Sequence, residues 1–273
     1  MTADALPGLV VSTEWLADHR EAVAVVDVRD AWEYDGIGHV PGAVNVPFDA
    51  FRSADGDVGM LPGAVRWATL LGEAGIAADT PVVAYDDTHG VFAARFVVTA
   101  LQYGHEEIAL LDGDFSAWQR GHETSTAAPA VEPATYPVGD PVADFLVDVD
   151  AVASATADPD AVVVDTRDPA EYEAGHLPGA VNLDWLELVD QESRGLLPPE
   201  TLRERLAAKG ITPGRRVVLY CNTARRISHT YVVLRWLGFE DVAFFEGSLT
   251  EWLREDRPLE GTRADELTVD DVR

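Results

Sequence analysis

Cysteine, lysine and long apolar segments are scarce in this chain. Cys221 is the only cysteine among 273 residues, which excludes an internal disulfide framework and a cysteine-rich metal site. Lys209 is the only lysine, so arginine supplies nearly all of the 20 basic residues. No stretch reaches the ~18 apolar residues of a membrane helix, and the first residues lack the features of a secretory signal. A cytoplasmic protein without membrane contacts is therefore expected.

The charge of the chain is strongly one-sided. The formal net charge is −28, because 48 acidic residues face only 20 basic ones. A surface this acidic repels nucleic acid and anionic membranes, so neither is expected as a partner. It also repels itself, and salt screens this repulsion, since the Debye length falls to ~3 Å at 1 M. The composition therefore indicates an acidic, halophilic type of protein, with a merely acidic mesophilic protein as the alternative.

The chain contains an internal repeat. The stretch VVDVRDAWEYDGIGHVPGAVNVP begins at Val25, and VVDTRDPAEYEAGHLPGAVNLD begins at Val163. A second matching pair ends at Trp118 in the first copy and at Trp252 in the second. Two copies of about 130 residues indicate a domain duplication, because solenoid repeats are shorter and more numerous.

The segment between the two copies has a different composition. Residues 122–141 are rich in proline, alanine and threonine and show no periodicity, which is typical of a linker. We therefore predict an N-terminal domain over 1–121 and a C-terminal domain over 142–273.

Short apolar runs alternate with helical patterns inside each copy. In the second copy, strands are predicted at 161–165 and 216–221, and a helix is predicted over 226–238. This alternation predicts an α/β fold in which each domain has a mainly parallel sheet with helices on both faces. Such sheets bind ligands beyond the carboxyl ends of their strands, where Cys221 and Arg167 are expected.

Cys221 opens a short turn between a predicted strand and a predicted helix. Such a turn points successive backbone N–H groups inward, and the helix start adds positive potential. Arg225 and Arg226 follow within the same stretch. These surroundings favour a thiolate, the nucleophilic form of cysteine, and would also hold an anion or a persulfide. A buried cysteine with only a packing role is the alternative interpretation.

Several motifs resemble those of tandem-domain rhodaneses, which are sulfurtransferases. YEAGHLPGAVNL (172–183) is similar to the first signature of that family, and VAFFEGSLTEW (242–252) is similar to its C-terminal signature. Cys221 stands at the family's nucleophile, and Arg226 ends its six-residue active loop. Asp86 stands at the nucleophile position of the first copy. The resemblance thus implies two tandem rhodanese-like domains, of which the first is non-catalytic.

The resemblance also implies a covalent mechanism without a metal or an organic cofactor. A Cys221 thiolate takes the outer sulfur of thiosulfate, releases sulfite and passes the sulfur from a persulfide to a thiol or to cyanide. 3-Mercaptopyruvate is the alternative donor, and a sulfur-accepting protein is a further candidate partner. The residues implied in binding the small anionic donor are Asn222, Thr223, Ala224, Arg225, Arg226 and Arg167.

Several positions depart from the family's pattern. Ala224 replaces a usual glycine, and a positive φ there would cost alanine on the order of 1 kcal/mol. Asn222 and Thr223 match neither the Arg-Lys pair of thiosulfate-preferring members nor the Gly-Ser pair of mercaptopyruvate-preferring ones. Glu171 stands where an arginine often precedes the tyrosine. The charge of the two loop arginines favours thiosulfate as the donor.

Two other functions fit parts of the pattern. Phosphatases and arsenate reductases of the same fold carry an arginine six positions after the cysteine, where this chain has Ile227. The arginine here is one position closer to Cys221, which leaves the loop short for a phosphate-sized anion. A binding or relay module that delivers sulfur to a protein partner shares the first half of the transfer and stays open. Asp86 and Asp87 lack further ligands at suitable spacing, so no metal site is predicted.

Overall fold

The computed structural model describes residues 6–53 and 60–272, which form two compact units. The first unit comprises Met1–Asp144 together with Asp190–Leu196, and the second comprises Phe145–Val189 and Leu197–Arg273. Each unit contains one copy of the sequence repeat. The predicted duplication into two domains is therefore confirmed.

A parallel sheet forms the centre of the first unit. Its described strands are β1 (Val10–Ser12), β2 (Ala24–Asp27), β3 (Val44–Asn45), β4 (Val82–Tyr85) and β5 (Ile108–Asp112). They are ordered β1-β5-β4-β2-β3, and every pairing is parallel. The helices are α1 (Thr13–His19), α2 (Ala31–Gly36), α3 (Ala64–Glu73), α4 (Val91–Gln102) and α5 (Phe115–Trp118), with 3₁₀ turns at Arg20–Ala22 and Phe48–Phe51.

The second unit repeats this plan. Its described strands are β6 (Ala161–Asp165), β7 (Val181–Asn182), β8 (Arg216–Tyr220) and β9 (Val242–Phe244), in the parallel order β7-β6-β8-β9. The helices are α6 (Val149–Thr156), α7 (Pro169–Ala174), α8 (Pro199–Ala208), α9 (Arg225–Trp236) and α10 (Ser248–Arg254), with 3₁₀ turns at Trp185–Leu188 and Val269–Asp271. Among the helices of the described ranges, none has the length and apolar character that a bilayer crossing requires.

The core of the second unit explains why its strands and helices form where they do. β6 is buried at every position, as expected for a parallel strand covered on both faces. β8 is buried from Val217 to Tyr220, and α9 is buried from Ile227 to Leu234. The first polar side chains after these strands therefore appear at the carboxyl-terminal edge of the sheet.

Predicted and observed elements of the second copy agree closely. The strand predicted at 161–165 is confirmed residue for residue. The strand predicted at 216–221 ends one residue earlier, so Cys221 lies just outside it. The helix predicted over 226–238 is observed at Arg225–Trp236.

The division into two units differs from the predicted domain boundaries in one segment. Asp190–Leu196 lies within the predicted C-terminal domain but belongs to the first unit. Arg194 gives the physical reason, because its Nε lies 2.8 Å from both carboxylate oxygens of Asp114. Its Nη2 also donates to the carbonyl of Asp87 at 3.0 Å. This segment is thus fixed by side-chain bonds that no local sequence pattern announces.

The segment predicted as a linker, 122–141, lies against the first unit. It contains no helix or strand, in agreement with its lack of periodicity. Its backbone is nevertheless bonded, since Ser125 and His39 exchange N–H···O bonds of 2.8 and 2.9 Å. The Ala134 N–H donates to the Gly72 carbonyl at 2.9 Å. The segment is therefore part of the first compact unit.

Candidate active site

Cys221 lies directly after β8, at the carboxyl-terminal edge of the second sheet. The residue is 2% exposed. Its N–H donates to Ser248 Oγ at 3.2 Å, and the Leu249 N–H donates to its carbonyl at 2.9 Å. Both partners belong to the start of α10, so they fix the main chain of the cysteine. The thiol thus stands at the edge where parallel α/β sheets bind ligands.

The turn from Cys221 to α9 passes through a left-handed residue. Ala224 has φ 66° and ψ −9° and is the N-cap residue of α9. The positive φ that the family's usual glycine tolerates is therefore present, and it costs alanine on the order of 1 kcal/mol. The Ala224 carbonyl accepts a hydrogen bond from Ser228 Oγ at 2.8 Å. Thr223 and Arg225, on either side of it, are half-buried.

Glu171 holds two residues of this turn. Its Oε1 accepts from Asn222 Nδ2 at 2.8 Å, and its Oε2 accepts from Arg226 Nη1 at 2.5 Å. The side chains of Glu171 and Arg226 are only 27% and 23% exposed, so the ion pair is partly shielded from water. Sequence analysis identified Glu171 as a departure from the family but missed this pairing. From the sequence alone, the position of Glu171 three residues after Asp168 predicts a capping bond to its own helix.

The carboxylates around Arg226 differ in their affinity for protons. Burial raises the pKa of Glu171 above its ordinary value of 4.5, and the neighbouring Asp168 adds to this shift. Hydrogen bonds with the side chain and N–H of Glu171 lower the pKa of Asp168 below 3.8. Burial raises the pKa of Asp184, which also faces Arg226. One guanidinium is therefore approached by three acids of unequal strength.

Arg167 is 1% exposed and is bound by Asp165. Its Nε and Nη2 donate to the two Asp165 carboxylate oxygens at 2.5 to 3.1 Å, and Nη2 also donates to the Gly175 carbonyl at 2.7 Å. Burial disfavours its charge, yet the hydrogen bond to Asp165 is strong enough to raise the pKa of Arg167. Its Nη1 lies 3.4 Å from Asn222 Oδ1. Arg167 thus reaches the turn through Asn222.

The same combination of acid, arginine and tyrosine occurs in both units. The Tyr220 hydroxyl donates to Asp165 at 2.6 Å and accepts the Leu177 N–H at 3.1 Å. The Tyr85 hydroxyl donates to Asp27 at 2.6 Å. Burial raises the pKa of Tyr85 and Tyr220 well above 10. Asp27 and Asp165 therefore act as buried hydrogen-bond acceptors at the ends of matching strands.

In the first unit a carboxylate fills the matching turn. Asp86 follows β4 as Cys221 follows β8, and the Phe115 N–H donates to the Asp86 carbonyl at 2.8 Å. The four N–H groups that donate to its carboxylate oxygens, at 2.7 to 3.1 Å, belong to Thr88, Gly90, Phe92 and Ala93. Four backbone donors therefore converge on one anionic side chain.

The residues predicted for the site lie in the turn after β8 or contact it. They are Cys221, Asn222, Thr223, Ala224, Arg225, Arg226 and Arg167. Within residues 6–53 and 60–272, no three histidine, cysteine or carboxylate side chains are grouped so that they could hold a metal ion. The arrangement thus places a buried cysteine at the start of a turn that also carries Arg225 and Arg226.

Comparison with protein families assigns both copies to one family. The family described as "Rhodanese-like domain" matches residues 12–121 and 148–255. This chain belongs to the rhodanese-like domain family. The resemblance drawn from the two signatures is therefore confirmed, and this rhodanese carries two such domains in tandem.

Curated relatives match this rhodanese over nearly their whole length. Thiosulfate sulfurtransferase of Pseudomonas aeruginosa is 33% identical over 253 residues, which cover 86% of this chain and 90% of the relative. Thiosulfate sulfurtransferase of Corynebacterium glutamicum is 31% identical over 275 residues, with 90% and 88% covered. Sulfur carrier protein TtuD of Thermus thermophilus is 31% identical over 270 residues, with 90% and 94% covered.

Solved structures share the fold of this rhodanese. SseA from Escherichia coli, described among 3-mercaptopyruvate sulfotransferases, gives a TM-score of 0.80 at 24% identity and covers 88% of this chain and 98% of its own. Wild-type EanB gives a TM-score of 0.82 at 20% identity, with 93% and 69% covered. The predicted α/β fold, with parallel sheets flanked by helices, is confirmed.

Proposed function

We propose that this rhodanese is a sulfurtransferase that carries a sulfane sulfur on Cys221 as a persulfide. The proposal depends mainly on one observation: Cys221 stands in a turn whose counterpart holds the Asp86 carboxylate on four backbone N–H groups. The N–H groups in the first turn of a helix have no acceptor within that helix, so α9 offers donors of the same kind. The relatives named thiosulfate sulfurtransferase support the same class of reaction.

The proposed reaction has two steps. The Cys221 thiolate attacks the outer sulfur of thiosulfate, the S–S bond of the donor breaks, and sulfite leaves with the bonding electron pair. Cys221 then carries a persulfide with the same single negative charge as the thiolate. An acceptor thiolate, or cyanide, takes the outer sulfur and regenerates the Cys221 thiolate. Neither step needs a metal or an organic cofactor.

Backbone donors of the turn stabilise the sulfur in this proposal. Ala224 and Gly90 are the N-cap residues of α9 and α4. The N–H groups of Ala224, Arg226 and Ile227 therefore correspond to three of the four donors around the first unit's carboxylate. We assign them to hold the thiolate and the persulfide, since fixed dipoles stabilise charge most effectively when they are already oriented. Arg225 and Arg226 add positive potential for an anionic donor.

Arg167 and Asn222 are positioning residues in this proposal. Asp165 fixes the guanidinium of Arg167, which contacts the Asn222 side chain. The Asn222 carbonyl accepts a hydrogen bond from Thr250 Oγ1 at 2.9 Å, so both ends of the residue are held. Thr223 completes the turn, and we assign it to the binding of the donor.

The first unit transfers no sulfur in this proposal. Asp86 has no thiol with which to form a persulfide, and its carboxylate already accepts from four N–H groups. An external anion therefore finds no comparable set of donors there.

3-Mercaptopyruvate is the second candidate donor, and one contact favours it. Arg226 is paired with Glu171, which offsets part of the positive charge on which a preference for thiosulfate depends. 3-Mercaptopyruvate presents one carboxylate charge, whereas thiosulfate is a dianion. The likeness to a protein named sulfur carrier protein supports a further possibility, in which a protein accepts the sulfur.

Intact-protein mass spectrometry tests the proposed function. After brief incubation with thiosulfate or with 3-mercaptopyruvate in high salt, wild-type protein is expected to gain one sulfur atom, and Cys221→Ser is expected to gain none. Added cyanide should remove that sulfur. A folded wild-type chain that gains sulfur from neither donor contradicts the proposal. Hydrolysis of a phosphate ester by such a chain would support the phosphatase alternative.

A further inference from the structure

Equivalent glutamates of the two units have different partners. Glu33 and Glu171 both stand three residues after the aspartate that caps the following helix. In the first unit, Glu33 Oε2 accepts the Asp30 N–H at 3.1 Å and so caps its own helix. In the second unit, the two oxygens of Glu171 accept from Asn222 and Arg226 instead. The second copy has therefore turned a capping side chain toward the turn that carries Cys221.

Arg226 is consequently a shared cation. Glu171 binds it directly, and Asp168 and Asp184 interact with it electrostatically. A donor anion that uses Arg226 must either displace the Glu171 carboxylate or bind beside it. Repulsion by that carboxylate is proportional to the charge on the donor, so a dianion is penalised more than a monoanion.

We propose that Glu171 sets the donor selectivity of the Cys221 site by charge, disfavouring dianionic donors relative to monoanionic ones. The inference rests on the proposed function, because it concerns the donor from which Cys221 takes sulfur. Glu171 acts through Arg226 and Asn222, so it is a positioning residue and not a catalytic one. Its expected signature is a change in KM that depends on the charge of the donor.

Two donors that transfer the same kind of outer sulfur but differ in charge separate the effect of donor charge from that of the chemical step. Thiosulfate is a dianion, and methanethiosulfonate, in which a methyl group replaces one oxygen, is a monoanion. Each transfers its outer sulfur to a thiolate as its S–S bond breaks, with sulfite or methanesulfinate leaving with the electron pair. The ratio of their kcat/KM values is insensitive to the fraction of Cys221 that is ionised, because the same thiolate serves both donors.

Glu171→Gln removes the charge and keeps an oxygen that accepts hydrogen bonds. We expect the ratio of kcat/KM for thiosulfate to that for methanethiosulfonate to rise about fivefold, mainly through a lower KM for thiosulfate. Glu173→Gln is the matched control, because Glu173 is exposed on the same helix and its loss changes the net charge equally. Glu171→Asp keeps the charge and is expected to keep the wild-type ratio. Moderate ionic strength is needed because salt screens the effect.

The outcomes distinguish this inference from the proposed function. A folded Glu171→Gln variant that gains sulfur on Cys221 but keeps the wild-type ratio overturns the inference alone. An equal change in Glu173→Gln overturns it too, because the effect would then come from net charge. A wild-type chain that gains no sulfur from any donor overturns the proposed function, and the inference falls with it. The pH dependence of the ratio, compared between the wild type and Glu171→Gln, tests the same idea.

Discussion

The turns after β4 and β8 begin alike and differ in what completes them. In the first unit, the Asp86 carboxylate accepts from the N–H groups of its own turn, and Asp114 behind it binds Arg194. In the second unit, Cys221 stands at the position of Asp86. Ser248 stands at the position of Asp114, and its Oγ accepts the Cys221 N–H. In the first unit, the turn therefore has a structural role, because the anion that its N–H groups bind is the Asp86 side chain itself. In the proposed function, the turn after β8 instead leaves its N–H groups for an anion that binds from solution.

Asp86→Asn is expected to give the largest effect on this comparison. Asparagine fits the same space, but its NH₂ group faces two N–H donors, and the charge-assisted hydrogen bonds are lost. We expect the first unit to lose about 3 kcal/mol of unfolding free energy in urea denaturation. Asp35→Asn, on the exposed face of α2, controls for the change in charge.

Cys221→Ser provides the other half of that comparison. The proposed role of the thiol is chemical, so its loss is expected to change the unfolding free energy by less than about 1 kcal/mol. Equal losses in Asp86→Asn and Cys221→Ser would show that the two turns do not differ in their structural role.

Tyr85→Phe and Tyr220→Phe test the tyrosine–aspartate contact that the two units share. Each removes a hydroxyl that donates to a buried aspartate at 2.6 Å and accepts a backbone N–H at 3.0 or 3.1 Å. Each variant is expected to lose about 2 kcal/mol of unfolding free energy, because the buried Val40 or Leu177 N–H loses its acceptor and the aspartate loses one of its donors. Urea denaturation of both should give similar losses. A difference above about 1 kcal/mol would show that the matching contacts are supported unequally.

The donor ratio of the wild-type protein is expected to depend on pH. Because burial raises the pKa of Glu171 above 4.5, this carboxylate loses its charge at a higher pH than an ordinary glutamate. The thiosulfate-to-methanethiosulfonate ratio should therefore rise as the pH falls, and the rise should begin at a higher pH than the ordinary glutamate pKa of 4.5 would give. The same shift means that ionisation of Glu171 opposes folding, so its contribution to stability is present at low pH and is lost as the pH rises from 4.5 through the raised pKa.

Other charged groups near this pair define the control. Those that interact with Glu171 or Arg226 are Asp168, Asp184 and Arg167. Burial also raises the pKa of Asp184, so its protonation acts in the same direction. The part of the rise that disappears in Glu171→Gln is assigned to Glu171. A pH profile identical in the variant and the wild type would contradict the assignment.

Ala224→Gly is expected to give the smallest effect. Glycine removes the strain at φ 66° but loses a buried methyl group and adds entropy to the unfolded chain. The expected balance is a gain of about 0.5 kcal/mol in unfolding free energy. Ala153→Gly, in the right-handed interior of α6, should instead lose about 1 kcal/mol. If urea denaturation showed that both alanine-to-glycine variants lose the same unfolding free energy, the left-handed turn would carry no strain.

Features with local signals could be predicted from the sequence. The valine-rich run at 161–165 forms a fully buried strand, as its composition indicates. His39 and His176 lie in the matching GHVPGA and GHLPGA stretches, and the Nδ1 atom of each lies within 3.0 Å of the Tyr34 or Tyr172 carbonyl oxygen. Such features depend on residues only a few positions apart.

Glu171 and Arg194 show what the sequence could not reveal. Both side chains are long, and several partners lie within their reach, so local pattern does not decide which is used. Glu33, in the equivalent place, caps its own helix. Arg194 adopts a positive φ of 69° and binds Asp114, which lies 80 residues earlier in the chain. Only the folded arrangement brings these partners together.

The position of Asp190–Leu196 also has a consequence for biosynthesis. The ribosome adds these residues after Phe145–Val189 of the second unit, although they belong to the first. Domains usually mature in the order in which they leave the ribosome. Because Asp114 binds Arg194, the first copy acquires this ion pair only after Phe145–Val189 of the second copy has been translated. Vectorial synthesis thus couples the maturation of two domains that duplication made alike.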